Sequence, residues 1–586
     1  MTPFDYFDRQ DIVTKKQYDA LRAFFYEKQK AEVVAEKFGY SLSAFYSLTK
    51  AFRKRLKENP TEDFFFKTSK QGRKHTESAI GLDKLIADLR KKNFAIEEIL
   101  SLLQSKGNNL SYQYVYGVLK NEGFAKLPRR TRKEKNNLEL PKVEAPVSAE
   151  LSFDNERFTS PSAGLLCFLP YIAKYKIDKV IENSLYPETK QINRLSSIMG
   201  FIGLKLSNIR RYSSDDLWCM DRGLGLFAGL NVLPKNAWFS SYSDRVTKNM
   251  NLSFLKELHQ IWKKEKLLSD TVNMDFTTIP YWGDGQHLEN NWSGKRNKAL
   301  SSMLAVLAQD PESGIIDYGN TDVMHSNESK VVLEYLDFYQ QTQTGRLDLR
   351  YLVFDSKFTN YENLRGLEEK NIKFITIRRR GKNIVEYINN KPASNWKTVR
   401  VESSELKKRT LKVLEETISL RGYGDLHEEK KVLRQIAITG HGKIKPALII
   451  TNDFEMPTEK IIRKYTRRWL VEKSISEQIE FFHLNRVNSS MVIKVDFDFT
   501  MTILAHNIYR LYAMDLGRYS HFTDEKIYEK FIANPGVVKI QNHRIIVELK
   551  KKRELPLILE TMEYYSNCKY PFLNNKLLSF AGSASS

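Results

Sequence analysis

Short runs of apolar residues through the middle of the chain predict a group of β-strands between Asp270 and Asp355. Runs rich in β-branched residues are typical of buried strands, whereas apolar residues at helical spacing indicate a helix. The predicted order is strand, strand, strand, helix, strand, with the strands at 271–276, 301–307, 314–319 and 350–355. Asp275 lies within the first strand, and Asp355 ends the fourth.

These two aspartates are candidate metal ligands. A carboxylate inside an apolar strand is unfavourable unless it is paired or binds a cation. Mg²⁺ prefers carboxylate oxygens, and two metals held ~4 Å apart activate the attacking oxygen and stabilise the leaving oxygen in phosphoryl transfer. The alternative is that each Asp only caps a strand end, but the ordered arrangement of strands favours a metal site.

A long helical pattern over 457–483 predicts a third acid for this site. Tyr465, Arg468, Glu472 and Ile475 recur at helical spacing and therefore share one face. Arg468 lies one turn before Glu472, where it can orient that carboxylate or contact a phosphate. The alternative is a solvated helix face, but the coincidence of Tyr, Arg and Glu on one stripe favours a site.

The segments around these acids resemble the DDE transposases of bacterial insertion sequences. Met274–Asp284 is similar to the family's first-Asp segment and Tyr351–Ser356 to the second, and Tyr465–Glu472 resembles the Tyr-Arg-Glu part of its Tyr-Arg-Glu-Lys signature. Ile479 stands where the family has the signature Lys, so this chain departs from the pattern there. The likeness extends over roughly residues 157–515.

The resemblance implies an α/β fold with an RNase H-like catalytic core, a mixed sheet flanked by helices. It also implies that Asp275, Asp355 and Glu472 are catalytic and bind metal, with Mg²⁺ as the cofactor and Mn²⁺ as a substitute. The implied activity is cut-and-paste transposition in the bacterial cytoplasm, at the nucleoid. The partners would be double-stranded DNA, both transposon ends and target, and a second copy of the chain in a homodimer on DNA.

Two other functions are compatible with the same pattern. One is an RNase H-like DNA nuclease or resolvase, and the other is a non-catalytic DNA-binding protein that retains the fold. The complete acidic triad argues against the non-catalytic protein. Tandem N-terminal modules, described next, argue against a nuclease that recognises only DNA structure.

The N-terminal patterns predict two all-α helix-turn-helix modules. Residues 16–57 give three short helices with Gly39 in the turn, and residues 82–124 repeat the arrangement. A small helical interaction domain is the alternative for the first module. The side chains predicted to contact DNA from these modules are Tyr46, Lys50, Arg53, Lys54, Tyr112, Gln113 and Tyr116.

The formal net charge of +22 favours a polyanionic partner. A basic linker at Pro128–Lys135 either tracks phosphates or is simply solvated, and the sequence leaves both open. Basic residues near Trp292 suit a DNA end, because stacking and charge act together there. The basic residues predicted to contact DNA outside the two modules are Arg129, Arg130, Arg132, Lys295, Arg296, Lys298, Arg378, Arg379 and Arg380, together with the Tyr465–Arg468 pair.

The 586 residues are too many for one domain, so we expect several. The second half of the chain contains a gap between Asp355 and Glu472 that is too long for a plain connection and predicts an insertion. The C-terminal region has no chemistry of its own, and dimerisation and DNA contact both remain open for it. The predicted organisation is a helix-turn-helix domain at 1–75, a second at 76–127, a basic linker at 128–156, a helical region at 157–270, the catalytic core at 271–382 and 446–515, a β-rich insertion at 383–445, and a helix/hairpin region at 516–586.

Overall fold

The protein is described by a computed structural model, in which the chain forms two compact units, Met1–Leu82 and Asp83–Ser586. The described residues are 13–58, 65, 77–91, 94–105, 108–124, 151, 153, 155–189, 192–209, 215–280, 289–293, 298–342, 348–402, 408–423, 431–441, 445–468, 471, 480–484 and 492–583. Within these ranges, no helix is both long and apolar enough to cross a lipid bilayer.

Three helices form the described core of the first unit: α1 (Val13–Phe25), α2 (Ala31–Lys37) and α3 (Leu42–Glu58). They bury a small apolar cluster that includes Val34 and Phe45. Gly39 adopts a φ of +62° in the turn before α3, a conformation that costs glycine nothing. The Ser41 hydroxyl then accepts a hydrogen bond from the Ala44 N–H at 3.2 Å and caps α3.

Three further helices follow: α4 (Glu77–Lys91), which contains the division between the units, α5 (Ile96–Ser105) and α6 (Tyr112–Asn121). All three lie within residues 76–127, the range expected for the second helix-turn-helix domain. Ser111 caps α6 by accepting a hydrogen bond from the Tyr114 N–H. The Tyr114 hydroxyl donates to Asp83 at 2.7 Å and ties α6 to α4.

A mostly helical region precedes the main sheet, within the range 157–270 where helices were expected. It begins with strand β1 (Glu156–Ser160) and a 3-10 turn at Ala163–Phe168. Its helices are α7 (Leu169–Lys174), α8 (Ile177–Asn183), α9 (Arg194–Leu206), α10 (Asp215–Trp218), α11 (Arg222–Phe227), α12 (Asn236–Ser243) and α13 (Lys248–Lys264).

The main sheet contains ten of the described strands, in the order β3-β4-β2-β6-β7-β11-β10-β9-β8, with β5 also paired to β4. Strands β2, β6 and β7 are mutually parallel, and the other pairs are antiparallel. This mixed sheet with flanking helices is consistent with the expected RNase H-like core. The strands are β2 (Thr271–Pro280), β3 (Asn290–Ser293), β4 (Lys298–Gln309), β5 (Ile316–Val323), β6 (Tyr351–Phe354), β7 (Lys373–Ile377), β8 (Lys397–Glu402), β9 (Lys408–Ile418), β10 (Leu433–Thr439) and β11 (Ala447–Thr451).

The segment 383–445, expected as an insertion, is mainly β and extends this same sheet. Its strands β8, β9 and β10 continue outward from β11 through antiparallel pairs. The helices that accompany the sheet are α14 (Val331–Gln341), α15 (Tyr361–Glu369), α16 (Lys382–Asn389), α17 (Thr458–Arg467) and α18 (Val492–Asp515).

The two faces of the main sheet carry different cores. Helix α18 is buried along its length and packs on β5, α9 and α13 in the larger core. Helix α17 packs on the opposite side, where Ile461 and Ile462 meet Val399 and Val413. His506 in α18 is a packed histidine, because its ring nitrogens contact the Asp524 carboxylate at 2.6 Å and the Gly314 carbonyl at 3.0 Å.

The C-terminal region forms a second sheet together with β1, in the order β1-β12-β13-β15-β14. Its hairpin matches the predicted one, whereas the pairing of β1 with β12 was not predicted. The remaining elements are α19 (Asp524–Ile527), β12 (Gly536–Ile540), β13 (Arg544–Leu549), α20 (Leu555–Glu563), β14 (Lys569–Tyr570) and β15 (Lys576–Gly582).

Candidate active site

The two predicted aspartates lie side by side at the centre of the main sheet. The parallel strands β2 and β6 pair in register up to Met274 and Phe354. Asp275 and Asp355 are the next residue on each strand, so the register brings them to the same level. Asp275 is buried, and Asp355 is half-buried and begins a 3-10 turn at Ser356–Phe358.

Asp275 already has a cationic partner within the protein. The Arg468 guanidinium donates a hydrogen bond to its Oδ2 atom, and the Phe276 N–H donates to its Oδ1 atom at 2.8 Å. The side chains of Arg468 and Asp275 are only 5% and 10% exposed. A buried carboxylate needs a compensating charge, and the Arg468 guanidinium supplies that charge to Asp275.

Tyr465 lies beside both aspartates, one helical turn before Arg468. The guanidinium of Arg468 lies 5.5 Å from the centre of the Tyr465 ring. Burial raises the pKa of the Tyr465 phenol to about 12, and the negative charges of Asp355 and Asp275 add to this shift while Arg468 opposes it. The phenol is therefore neutral at physiological pH and available as a hydrogen-bond donor.

Lys464 ties α17 to the sheet, a role that the sequence pattern does not predict. Its Nζ atom donates to the Thr271 hydroxyl at 2.5 Å and lies 4.5 Å from the centre of the Tyr351 ring. Burial lowers the pKa of Lys464, and the nearby Asp270 carboxylate opposes that shift. Its position directly before Tyr465 in the sequence was the only available signal.

A ring stack joins the residues that follow the two aspartates. Phe276 and Phe358 lie with their ring centroids 3.9 Å apart and their planes at 6°. Phe358 is buried, and it also contacts Phe354 at the end of β6. The stack therefore couples the β2 backbone after Asp275 to the turn after Asp355, and it helps to fix the relative position of the two carboxylates.

The third predicted acid, Glu472, lies outside the described residues, as does Ile479. Helix α17 ends at Arg467, and Arg468 follows in helical conformation. Val471, directly before Glu472, is buried in the larger core. The position of Glu472 as a catalytic and metal-binding residue therefore stays a prediction.

The predicted DNA-contact residues of the N-terminal helices are on the surface. On α3, Tyr46, Lys50, Arg53 and Lys54 are exposed, whereas Phe45 on the same helix is buried. On α6 the exposed side chains are Tyr112, Gln113 and Tyr116. Exposure is necessary for DNA contact but does not establish it.

The basic residues near the main sheet fall into different environments. Arg378 donates to the Gln435 side-chain oxygen at 2.7 Å, and Arg380 donates to the Pro446 carbonyl at 2.8 Å, so both support the sheet extension. Arg379 and Lys298 are exposed. The predicted residues Arg129, Arg130, Arg132, Lys295 and Arg296 lie outside the described residues.

The chemistry of the two aspartates fits Mg²⁺ or Mn²⁺. Carboxylate oxygens are the ligands that these ions prefer. Arg468 now balances the charge that a metal would balance. Among the described residues, no cluster of three or more Asp, Glu, His or Cys side chains is placed to hold a metal ion, so a complete ligand set requires a residue such as Glu472.

Comparison with known proteins agrees with this geometry. The family model described as a transposase DDE domain matches residues 268–508, a range that contains Asp275, Asp355, Arg468 and Glu472. A search of curated proteins gives no match to the chain.

Proposed function

Residues 268–508 are a transposase DDE domain of the insertion-sequence type, and from this premise we propose that the chain is a cut-and-paste transposase. It binds the terminal inverted repeats of its element, cleaves at the element ends and joins the 3′-hydroxyl ends to target DNA. The observation that carries the proposal is the in-register placement of Asp275 and Asp355 on β2 and β6, beside Arg468 and Tyr465.

The acidic residues would hold the metal cofactor. Asp275, Asp355 and Glu472 offer carboxylate oxygens to Mg²⁺, with Mn²⁺ as a substitute. When bound, a metal pair neutralises charge and activates the attacking oxygen in phosphoryl transfer. The Phe276–Phe358 stack positions the two aspartates, and the buried surroundings of Asp275 strengthen electrostatic interactions by excluding water.

The reaction balances without a high-energy cofactor. In cleavage, the oxygen of water bonds to the phosphorus at the element end, the bond from that phosphorus to the 3′-oxygen breaks, and a 3′-hydroxyl and a 5′-phosphate result. In joining, this 3′-hydroxyl attacks a target phosphorus and displaces a target 3′-oxygen. One phosphodiester bond forms as another breaks.

Tyr465 and Arg468 would contact the DNA at the site. The Tyr465 phenol stays protonated because its pKa is raised to about 12, so it donates to a phosphate oxygen. Arg468 matches a phosphate in geometry and charge. A phosphate beside Asp275 would thus replace part of the interaction that Arg468 makes with that carboxylate in the free protein.

The N-terminal helices would supply end recognition. In the proposal, the exposed residues Tyr46, Lys50 and Arg53 on α3, and Tyr112 and Gln113 on α6, contact DNA. An element has two ends that must be cut and joined together, so the active species is a homodimer on DNA. Symmetric pairing of this kind is the commonest assembly of soluble proteins.

The test is a cleavage and joining assay on a plasmid that carries the gene with its flanking DNA. We expect Asp275→Asn, Asp355→Asn and Glu472→Gln each to abolish cleavage in Mg²⁺ while leaving a gel shift with the flanking DNA largely intact. The matched control is Asp348→Asn, because Asp348 is an exposed carboxylate in an ion pair with Lys263.

Normal cleavage by any of the three variants would remove that residue from the triad. Cleavage by the unmodified chain without any joining would instead identify a nuclease or resolvase.

A further inference from the structure

A groove runs beside the tip of the β12–β13 hairpin in the second sheet, on a part of the chain far in sequence from the candidate active site. Its volume is about 750 Å³, and it is open to solvent. We call it the hairpin groove and define it by Asn155, Arg157, Lys539, Gln541, His543 and Arg544.

The hairpin groove carries excess positive charge. Arg157, His543 and Arg544 are exposed. Within the described part of the chain, neither Arg157 nor Arg544 forms an ion pair or a side-chain hydrogen bond. The acidic residue at the groove, Glu156, is neutralised by Arg222, which donates to both of its carboxylate oxygens at 2.5 and 2.6 Å.

The strand register places two of these cations directly opposite each other. Arg157 on β1 pairs with Lys539 on β12, and neighbouring residues such as Phe158 and Val538 point to the other side of the sheet. Like charges directly opposite each other on one sheet face destabilise the pairing. Glu548 relieves part of this repulsion by accepting a hydrogen bond from Lys539 at 2.5 Å. An anion in the groove would relieve the rest.

The tip of the hairpin is held in place by a buried cation. Lys576 is 4% exposed, and its Nζ atom donates to the carbonyl oxygens of Gln541 and Asn542 at 2.8 and 2.9 Å. The Gln541 N–H donates to the Arg544 carbonyl at 2.8 Å and closes the hairpin. The groove wall is therefore preformed and does not have to order on binding, which lowers the cost of association.

Basic residues lie at both ends of β13. Exposed Lys550 and Lys551 follow the end of this strand, whereas Arg544 begins it. At about 3.3 Å per residue, the distance along the strand between the two basic ends is about 20 Å, similar to six base-pair steps of 3.4 Å. The two basic ends are therefore separated by the length of a short stretch of duplex.

We infer that the hairpin groove binds the phosphate backbone of double-stranded DNA, through Arg157 and Arg544. The inference rests on the proposed function, because a transposase must hold flanking or target duplex as well as its recognition sequence. Contacts of this kind position the duplex and do not read its sequence. The groove is thus a second DNA-binding surface, formed by residues other than those of the N-terminal helices and the acids.

The test measures the salt dependence of DNA binding by the full chain with a linear duplex of unrelated sequence. Each neutralised phosphate contributes roughly −0.9 to the slope of log K against log salt. We expect Arg157→Ala with Arg544→Ala to make the slope about 1.8 less negative. Between 50 and 200 mM salt, the affinity of the unmodified chain would then fall about twelvefold more than that of the variant.

Two controls separate the groove from general charge and from folding. The pair Lys235→Ala and Lys264→Ala removes the same charge from exposed positions elsewhere and should leave the slope unchanged. The pair Arg157→Lys and Arg544→Lys keeps the charge and should retain most of the slope. Circular dichroism of all variants should match the unmodified chain, because Arg157 and Arg544 are exposed.

An unchanged slope in the Arg157→Ala/Arg544→Ala variant would overturn the inference, as would an equal change in the Lys235→Ala/Lys264→Ala control. A change seen with single-stranded DNA and not with duplex would also overturn it. Because the readout is binding, it is independent of cleavage. A chain that cleaves no DNA but shows the slope change would contradict the proposed function and leave the groove assignment intact.

Discussion

We expect the ion pair between Arg468 and Asp275 to contribute measurably to the free energy of unfolding. Replacing Arg468 with Met removes the cation and retains an apolar side chain of similar length. The Asp275 carboxylate would then be buried without the Arg468 cation, and it would keep the hydrogen bond from the Phe276 N–H. Removing one partner of a buried pair costs about 3–5 kcal/mol. We expect about 3 kcal/mol, because the retained hydrogen bond keeps the loss at the low end.

The assay is urea unfolding in EDTA, followed by circular dichroism. Since a chain of this size does not unfold in two states, the quantity compared is the midpoint of the transition of the catalytic core. With a urea dependence of about 3 kcal/mol per molar, a loss of 3 kcal/mol lowers that midpoint by about 1 M. Mg²⁺ should raise the midpoint of the Arg468→Met variant more than that of the unmodified chain, because a bound ligand stabilises the folded state and Arg468 no longer competes.

A double-mutant cycle decides whether the pair itself is responsible. Asp275→Asn should also destabilise the chain, because it leaves the Arg468 guanidinium without its carboxylate, and the double variant should cost less than the sum of the single ones. The control is the exposed pair Lys263–Asp348, whose side chains are 36% and 64% exposed. Its loss should cost about 0–1 kcal/mol. Additive effects of Arg468→Met and Asp275→Asn, or losses no larger than in the control, would refute the reasoning.

Three further predictions concern other parts of the fold. Hydrogen bonds from Tyr351 and from backbone N–H groups hold the pKa of Asp453 below its ordinary value despite burial. Its stabilising contribution is therefore present above pH ~3.9 and is lost as the pH falls through the lower pKa of the folded state. We expect Asp453→Asn to destabilise the chain at pH 7 and to match the unmodified chain in strong acid. Urea unfolding at several pH values would show this. Phe276→Ala removes the ring stack and should slow cleavage while leaving a DNA gel shift unchanged, and normal cleavage would argue against a positioning role. If each catalytic core acts on the DNA end bound by the partner chain, mixing an Asp275→Asn chain with a Lys50→Ala/Arg53→Ala chain should restore cleavage. A mixture that stays inactive would contradict that arrangement.

Local sequence pattern explains why the two strands next to Asp275 and Asp355 could be predicted from the sequence. The run that contains Asp275 and the run that ends at Asp355 are short and apolar, and both became adjacent strands of the main sheet. A short apolar run rich in β-branched residues is typical of a strand that is buried on both faces. The pattern of apolar residues does not show which strands pair. The order of the motifs along the chain indicated that these two strands are neighbours.

Long-range pairing explains what could not be predicted. Strand β1 pairs with β12, hundreds of residues later in the chain, and β13 pairs with β15 in parallel. Alternation of apolar and polar residues shows that such segments are strands but does not identify their partners. The Arg468–Asp275 ion pair is of the same kind, because both residues were singled out separately and only the folded chain brings them into contact.

The length of the segment between Asp355 and Glu472 is partly explained by the strands β8, β9 and β10, which extend the main sheet. Strands β8, β9 and β10 lengthen the main sheet beyond β11, and their apolar face, including Val399 and Val413, packs against Ile461 of α17. Arg468 directly follows α17, and its guanidinium donates a hydrogen bond to Asp275. Because the extension supports the helix, it helps to set the positions of Tyr465 and Arg468 relative to the two aspartates. The residues between the second and third predicted acids are therefore part of the scaffold of the site, in addition to any contact they make with DNA.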